Sequence, residues 1–317
     1  MLTLSFFSYK GGSGRSSMVY NTLPFLAETL KASREHPIIV ADLDIDSAGL
    51  SILFTPDKFN KSSNAVDSVP IISVDRILDE KNAMYSDTAK EIGKKTFPEL
   101  FNYNMYAKIG NKVGYASDAS ILFVPAIPSQ IKNTFNVSAN GPIHDFIKTC
   151  ENYGAAAVIL DTPAGDQTIA RGAVNNTRTL VVCLRITKQH REGTANYLKR
   201  KLNDIDGRRI IVVPNAVPDV NEKILINGIP YNFEAVRQSM IENYGNIIEE
   251  SDDNTFVDDM LSKEYYGIPE VKRFRFQEGI LYDIKNNLRY GVEFTEDEEK
   301  AYNAYRHLAE VIAESKR

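Results

Sequence analysis

The sequence predicts a doubly wound α/β fold: a mostly parallel sheet covered by helices on both faces. Three observations carry this prediction. Six short apolar runs recur along the 317 residues, each of single-strand length. Segments of helical periodicity lie between them, the alternation expected of parallel strands joined by crossovers. A glycine-rich turn joins the first run to the first helix.

Residues 2–8, LTLSFFS, read as a buried strand, and Lys10-Gly11-Gly12-Ser13-Gly14-Arg15-Ser16-Ser17 follows as a turn. Val19, Leu23, Leu26, Ala27 and Leu30 then recur three and four apart, predicting a helix over 16–31. Pro24 inside it is expected to kink or shorten its first part. Residues 38–43, IIVADL, form a near-continuous apolar strand of the kind buried on both faces. Residues 55–118 are rich in Pro, Ser, Asn and Lys, with short helices predicted near 72–80 and 86–95. A stretch this long reads as an insertion or interaction region rather than bare coil. SILFV at 120–124 is a strand ending at Pro125, and a helix near 142–152 leads into the strand AAAVIL at 155–160. TLVVCL at 179–184 and RIIVV at 209–213 flank a helix predicted over 188–204. The stretch 249–259 is acidic and KRFR at 272–275 is basic. Residues 295–316 read as a closing helix that packs on the sheet. Thr295 and Glu298 have capping-box spacing, and Tyr302, Tyr305, Leu308, Ala309 and Ile312 share one face. The whole of 1–317 is expected to form one domain.

Composition narrows the function classes. Hydrophobic residues make up 43% and charged residues 25%, which excludes a disordered chain. Lys and Arg number 37 against 42 Asp and Glu, a net charge of −5, so no basic coat for nucleic acid is expected, only a local patch. Cys150 and Cys183 lie in or beside apolar segments and read as buried thiols, too few for a disulfide framework or a four-cysteine metal site. The four histidines form no ligand motif. No signal-peptide pattern opens the chain and no apolar run reaches membrane-spanning length, which predicts a cytoplasmic protein.

The turn at 10–17 carries the chemistry. Backbone N–H groups in a glycine-rich turn cradle phosphate oxygens, and the following helix start adds its dipole. Arg15 and Ser16 stand where a phosphate loop places its charge and its magnesium ligand. KGGSGRSS resembles the deviant Walker A motif of the ParA/MinD family of ATPases, within the wider nitrogenase-iron-protein-like P-loop group. Three more segments fall in family order: ADLDIDSAGLS at 41–51, VILDTPAG at 158–165 and VVPNAVP at 212–218. The resemblance spans about 2–218 and implies a three-layer P-loop NTPase sandwich.

What the resemblance implies is residue-specific. Gly11, Gly12, Ser13 and Gly14 would wrap the phosphates, with Ser17 near the α-phosphate. Arg15 departs from the usual lysine that holds the β- and γ-phosphates. It keeps the charge, but it is longer and planar. Lys10 would reach a second subunit's phosphates. Ser16 would ligate Mg²⁺, with Asp42 and Asp161 holding the metal through water. Asp44 would lie by the attacking water. Asp42, Asp44 and Asp46 would share one face if that piece stays extended. Gly165 would meet the γ-phosphate in a second switch, and Asn215 would read adenine. The implied activity is Mg²⁺-dependent hydrolysis of ATP to ADP and phosphate, driving an ATP-dependent homodimer in DNA partitioning or intracellular positioning. Implied partners are non-specific DNA and an activating adaptor protein. Candidate DNA contacts are Lys199, Arg200, Lys201, Arg208, Arg209, Lys272, Arg273 and Arg275. The Ala- and Tyr-rich tail, with its mixed charges, argues against membrane binding. A non-hydrolysing nucleotide-binding scaffold and an ATP-dependent ligase or synthetase share the same motifs.

Overall fold

The computed structural model describes residues 1–33, 35–54, 74–78, 121–126, 139–201, 207–219, 223–250, 253–275, 281, 285 and 294–314. The predicted helix at 86–95 and nearly all of 55–118 lie outside the described residues.

All six predicted strands form. β1 (Leu2–Phe7), β2 (Ile38–Asp42), β3 (Ile121–Val124), β4 (Ala157–Asp161) and β5 (Thr179–Leu184) are buried throughout. β6 (Arg209–Val217) runs longer than expected, through Pro214 to Val217. After it come a short antiparallel ribbon, β7 (Leu225–Ile226) and β8 (Ile229–Pro230), and two strands that the sequence did not announce, β9 (Thr255–Val257) and β10 (Ile268–Pro269). The main sheet runs β10-β6-β5-β1-β4-β2-β3, with β9 paired to the first half of β6. Every pairing in it is parallel.

The helices are α1 (Arg15–Thr29), α2 (Gly49–Phe54), α3 (Val74–Leu78), α4 (Asn140–Asn152), α5 (Thr168–Asn176), α6 (Lys188–Lys201), α7 (Phe233–Glu249) and α8 (Glu296–Glu314). Alternate strand residues divide the core. Leu2, Leu4 and Phe6 of β1 and Ile38 and Val40 of β2 face α1 and α8. Ile39 and Ala41 face the other way, toward α4 and Ala173 of α5. Phe7 and Val182 pack with Tyr197 of α6 and Tyr244 of α7.

α1 runs on through Pro24 rather than stopping there. A proline inside a helix costs about 3 kcal/mol. Leu23, Phe25 and Leu26 around it are each at most 1% exposed. Burying such side chains contributes about 1.5–3 kcal/mol apiece, which exceeds that cost. Phe25 meets Tyr302 of α8 edge-on, with ring centroids 4.8 Å apart. At the start of α8 the Thr295 N–H donates to Glu298 Oε2 at 2.9 Å and the Glu298 N–H to Thr295 Oγ1 at 3.4 Å. This is the reciprocal pattern that the Thr-x-x-Glu spacing predicts. Ala301, Tyr302, Ala304, Tyr305, Leu308, Ala309, Val311 and Ile312 form the buried face of α8.

Parallel pairing brings the carboxyl ends of β1, β2, β4, β5 and β6 to one edge of the sheet. Asp161, the last residue of β4, stands in register with Phe6 on one side and Asp42 on the other. The strands thus deliver two carboxylates to adjacent positions beside the turn after β1. In such sheets this edge is where ligands bind.

Candidate functional site

The turn after β1 wraps into α1 through two left-handed residues, Gly12 (φ 74°) and Gly14 (φ 77°). A Cβ on Gly14 would fall 2.2 Å from the Asn215 amide nitrogen, so the loop tolerates no side chain there. Gly11 and Gly12 are exposed, and a Cβ on either would meet open space. The mouth of the loop is therefore free while its base is packed.

Asn215, from the β6 end, holds that base. Its Nδ2 donates to the Ser13 carbonyl at 2.7 Å, and its Oδ1 accepts the Ala216 N–H at 2.9 Å. Ser13 is 2% exposed. Arg185, just past β5, holds the other side: its Nε donates to the Gly12 carbonyl at 3.2 Å. The sequence reading passed over Arg185. Its only signal is a cation directly after the apolar run TLVVCL.

Arg15 points inward. Its Nε donates to Asp161 Oδ1 at 2.5 Å, its Nη1 to Ser8 Oγ at 3.1 Å and its Nη2 to Asp44 Oδ2 at 2.8 Å. The side chain is only 6% exposed and Asp161 is fully buried. Ser16 Oγ donates to the second oxygen of Asp161 at 2.6 Å. Burial alone would lower the Arg15 pKa, but Asp161 and Asp44 more than offset it and raise it above its ordinary value.

The chain turns immediately after β2, where the Ala48 N–H donates to the Asp44 carbonyl at 2.6 Å. Residues 42–46 therefore do not remain extended, and the three aspartates do not line one face. Asp46 is exposed on the turn, Asp44 reaches Arg15, and Asp42 is buried elsewhere. Asp42 Oδ2 accepts from the Ser51 N–H at 2.8 Å and from Ser51 Oγ at 2.7 Å, and its Oδ1 accepts the Asp44 N–H at 3.1 Å. The Asp42 side chain thus pins the start of α2. Gly165 (φ 83°) follows β4, and its N–H donates to the Ser8 carbonyl at 2.9 Å.

Lys10 lies beside Gly193 of α6 and makes no ion pair among the described residues. His190 is held below its ordinary pKa by burial and by the positive charges of Lys10 and Arg185. Ser17 is half-buried at the start of α1. Of the candidate nucleic-acid contacts, Arg273 pairs with Glu298 at 3.1 Å and Arg275 with Glu270 at 2.7 Å. Arg209 pairs with Glu314 at 3.5 Å and Lys201 with Asp166 at 3.7 Å. Their charges are largely balanced locally. Among the described residues no helix is long and apolar enough to cross a membrane.

Two carboxylates, Asp44 and Asp161, thus hold one guanidinium, and Asp42 stands in register beside Asp161. Burial, followed by the nearby Asp161, pushes Asp42 up to about 7. Burial likewise raises Asp161, against the pull of Arg15 and Ser16. Three carboxylates stand here against one guanidinium and offer hard oxygen donors, a chemistry that fits Mg²⁺. No three His, Cys, Asp or Glu side chains among the described residues gather closely enough to hold a metal by themselves.

The raised pKa of Asp42 has a testable consequence. Its native form keeps a proton that the unfolded chain loses near pH 4. Stability from this group is therefore present at low pH and is lost as pH rises toward about 7. In urea unfolding of the nucleotide-free protein, wild type should lose stability relative to Asp42→Asn by at least about 1 kcal/mol between pH 5 and 7.5. A difference that stays constant across that range would contradict this assignment.

No protein-family profile matches the sequence, and no curated protein sequence matches it. Solved structures do resemble the fold. pNOB8 ParA bound to nonspecific DNA aligns with a TM-score of 0.59 at 13% identity, covering 100% of this chain and 99% of that one. MinD cell division protein from Aquifex aeolicus aligns at 0.51 with 14% identity, covering 99% and 97%. Cobyrinic acid a,c-diamide synthase from Mycobacterium smegmatis, with ADP and magnesium bound, aligns at 0.55 with 12% identity, covering 100% and 97%. These likenesses show the fold alone: a mostly parallel sheet flanked by helices, shared with these three proteins.

Proposed function

We propose that this chain is a nucleotide-dependent dimerising ATPase of the ParA/MinD kind, a single-domain switch that serves DNA partitioning or intracellular positioning. The observation that carries the reading is the turn between β1 and α1. Two left-handed glycines give it a phosphate-loop course, and Ser16 ties it to the strand-end Asp161. Support also comes from ParA and MinD structures that share the fold along their whole length.

In this reading the backbone N–H groups of Gly11 to Gly14 and the start of α1 bind the phosphates. Ser16 ligates Mg²⁺, with Asp161 and Asp42 behind it. Mg²⁺, when bound, neutralises charge that develops on the phosphoryl oxygens. Asp44 orients the attacking water toward the γ-phosphorus. Gly165 gives up its hydrogen bond to Ser8 and meets the γ-phosphate, so that loss of this phosphate resets the segment. Lys10 completes the site of a second copy, which couples ATP binding to dimer formation. Asn215 holds the loop and presents its remaining amide valences to adenine. An adaptor protein would stimulate turnover. ParA, as its solved complex shows, can bind non-specific DNA. Among the described residues Lys199 and Arg200 on α6 form no ion pair and would serve such a role, whereas Arg273 and Arg275 of KRFR are paired.

A second reading, a nucleotide-binding scaffold without turnover, is favoured by one observation. The guanidinium of Arg15 is committed to protein acceptors, away from the loop mouth.

Light scattering with Mg²⁺–ATPγS against Mg²⁺–ADP tests the switch. The mass should double with the ATP analogue alone, accompanied by slow phosphate release from ATP. An unchanged mass with nucleotide binding verified would refute an autonomous dimer switch. Doubling without phosphate release would select the scaffold, and turnover only with an acceptor present would select a synthetase.

A further inference from the structure

We propose that Arg185 supplies the arginine contact to the bound nucleotide's phosphates, while Arg15 remains an internal counter-ion that locks Asp161 to Asp44. The inference rests on the nucleotide-binding reading above and specifies which side chains of that site act on the ligand.

The first observation concerns Arg15. Each of its three guanidinium nitrogens donates to a protein acceptor, two of these acceptors being carboxylates. To reach a phosphate it would have to leave Asp161, which is fully buried and stands in register beside the buried Asp42. Two carboxylates without a cation would then remain in a medium that solvates charge poorly. Removing one partner of a buried ion pair is strongly unfavourable for this reason. A triphosphate need not extract Arg15 if another cation already stands at the loop.

The second observation is that one does. Arg185 binds the outer rim of the loop through Nε, at the exposed Gly12 carbonyl. Among the described residues it has no acidic partner, and its Nη1 and Nη2 groups make no hydrogen bond there. Burial first, and then the positive charges of Lys10 and Arg185, hold the neighbouring His190 below its ordinary pKa. Among the described residues neither Lys10 nor Arg185 forms an ion pair with an acidic side chain. A planar guanidinium fixed at one nitrogen and free at two is suited to fork onto phosphate oxygens. Gly11 and Gly12, beside it, leave open space above the loop.

The test is equilibrium binding of a fluorescent ATP analogue with Mg²⁺, over a range of salt, to wild type, Arg185→Ala, Arg185→Lys and Arg15→Lys. Thermal unfolding without nucleotide is measured alongside. Arg185→Ala should weaken binding by about 10- to 100-fold, as expected for loss of a charge-assisted fork. Its salt dependence should flatten and its nucleotide-free melting should be unchanged. Arg185→Lys should recover part of the affinity and the salt slope. A residue that only braced the loop would lower affinity equally at every salt concentration. Arg15→Lys should bind ATP within a few-fold of wild type. Wild-type affinity in Arg185→Ala, or a loss with the salt slope intact, would overturn the proposal. So would abolished ATP binding in an Arg15→Lys protein that melts like wild type. If the wild-type protein binds no nucleotide, the nucleotide reading itself falls first, a result separable from all of these.

Discussion

Replacing Arg15 by methionine is expected to remove about 3–5 kcal/mol of stability from the nucleotide-free protein at pH 8. The guanidinium is the cation shared by Asp161 and Asp44, and methionine fills much of its volume without its charge. Asp44 can turn toward water, since its side chain is 14% exposed, but Asp161 has no such exit. The loss should shrink at acid pH, since burial raises the Asp161 pKa and protonation relieves the charge left behind. Urea unfolding at both pH values checks this. Adding Asp161→Asn to the methionine variant should restore part of the stability, because the orphaned charge is gone. A variant as stable as wild type at pH 8 would show that the buried pair contributes nothing net.

If the chain hydrolyses ATP as proposed, replacing Asp44 by alanine is expected to slow it by about two to four orders of magnitude, the usual range for a positioned acid–base or water-orienting side chain. The ATP-dependent doubling in mass should persist, because Asp44 does not belong to the phosphate loop. Asp44 is only the outer partner of Arg15, whereas Asp161 is the buried one, so the fold should lose far less than in the Arg15 variant. Single-turnover phosphate release and light scattering on the same preparation separate the two effects. Hydrolysis at the wild-type rate would remove Asp44 from the chemistry.

Much of the sheet was readable because its strands are buried on both faces. Runs such as IIVAD and TLVVCL contain little that water could hold, so continuity alone marked them. β9 was hidden because three residues within an acidic stretch carry no period. β10 was hidden because two residues cannot show one. α7 was legible in principle: Phe233, Met240, Tyr244 and Ile248 share a buried face, and Asn232 caps the helix by accepting the Ala235 N–H. The turn between β1 and α1 was legible because glycine has few substitutes at positive φ, as at Gly12 and Gly14. The direction of Arg15 was not, since a long side chain follows the nearest buried charge, and that charge lies 146 residues further along the chain. Arg185 escaped for a similar reason. Its significance depends on the Gly12 carbonyl, which only the pairing of β1 with β5 brings near.

The tie between Asn215 and the Ser13 carbonyl joins residues 202 positions apart. β1 likewise has its neighbours in β4 and β5, and Asn21 of α1 accepts the Leu281 N–H. A nascent chain therefore leaves the ribosome with its loop already synthesised but unsupported. Only when the second half has emerged can the first strand find both its neighbours. Contacts of such long sequence separation slow folding, because the intervening chain must be ordered before they form. A ribosome-stalled fragment lacking the β6 end would therefore carry a loop without the Asn215 tie that closes its base.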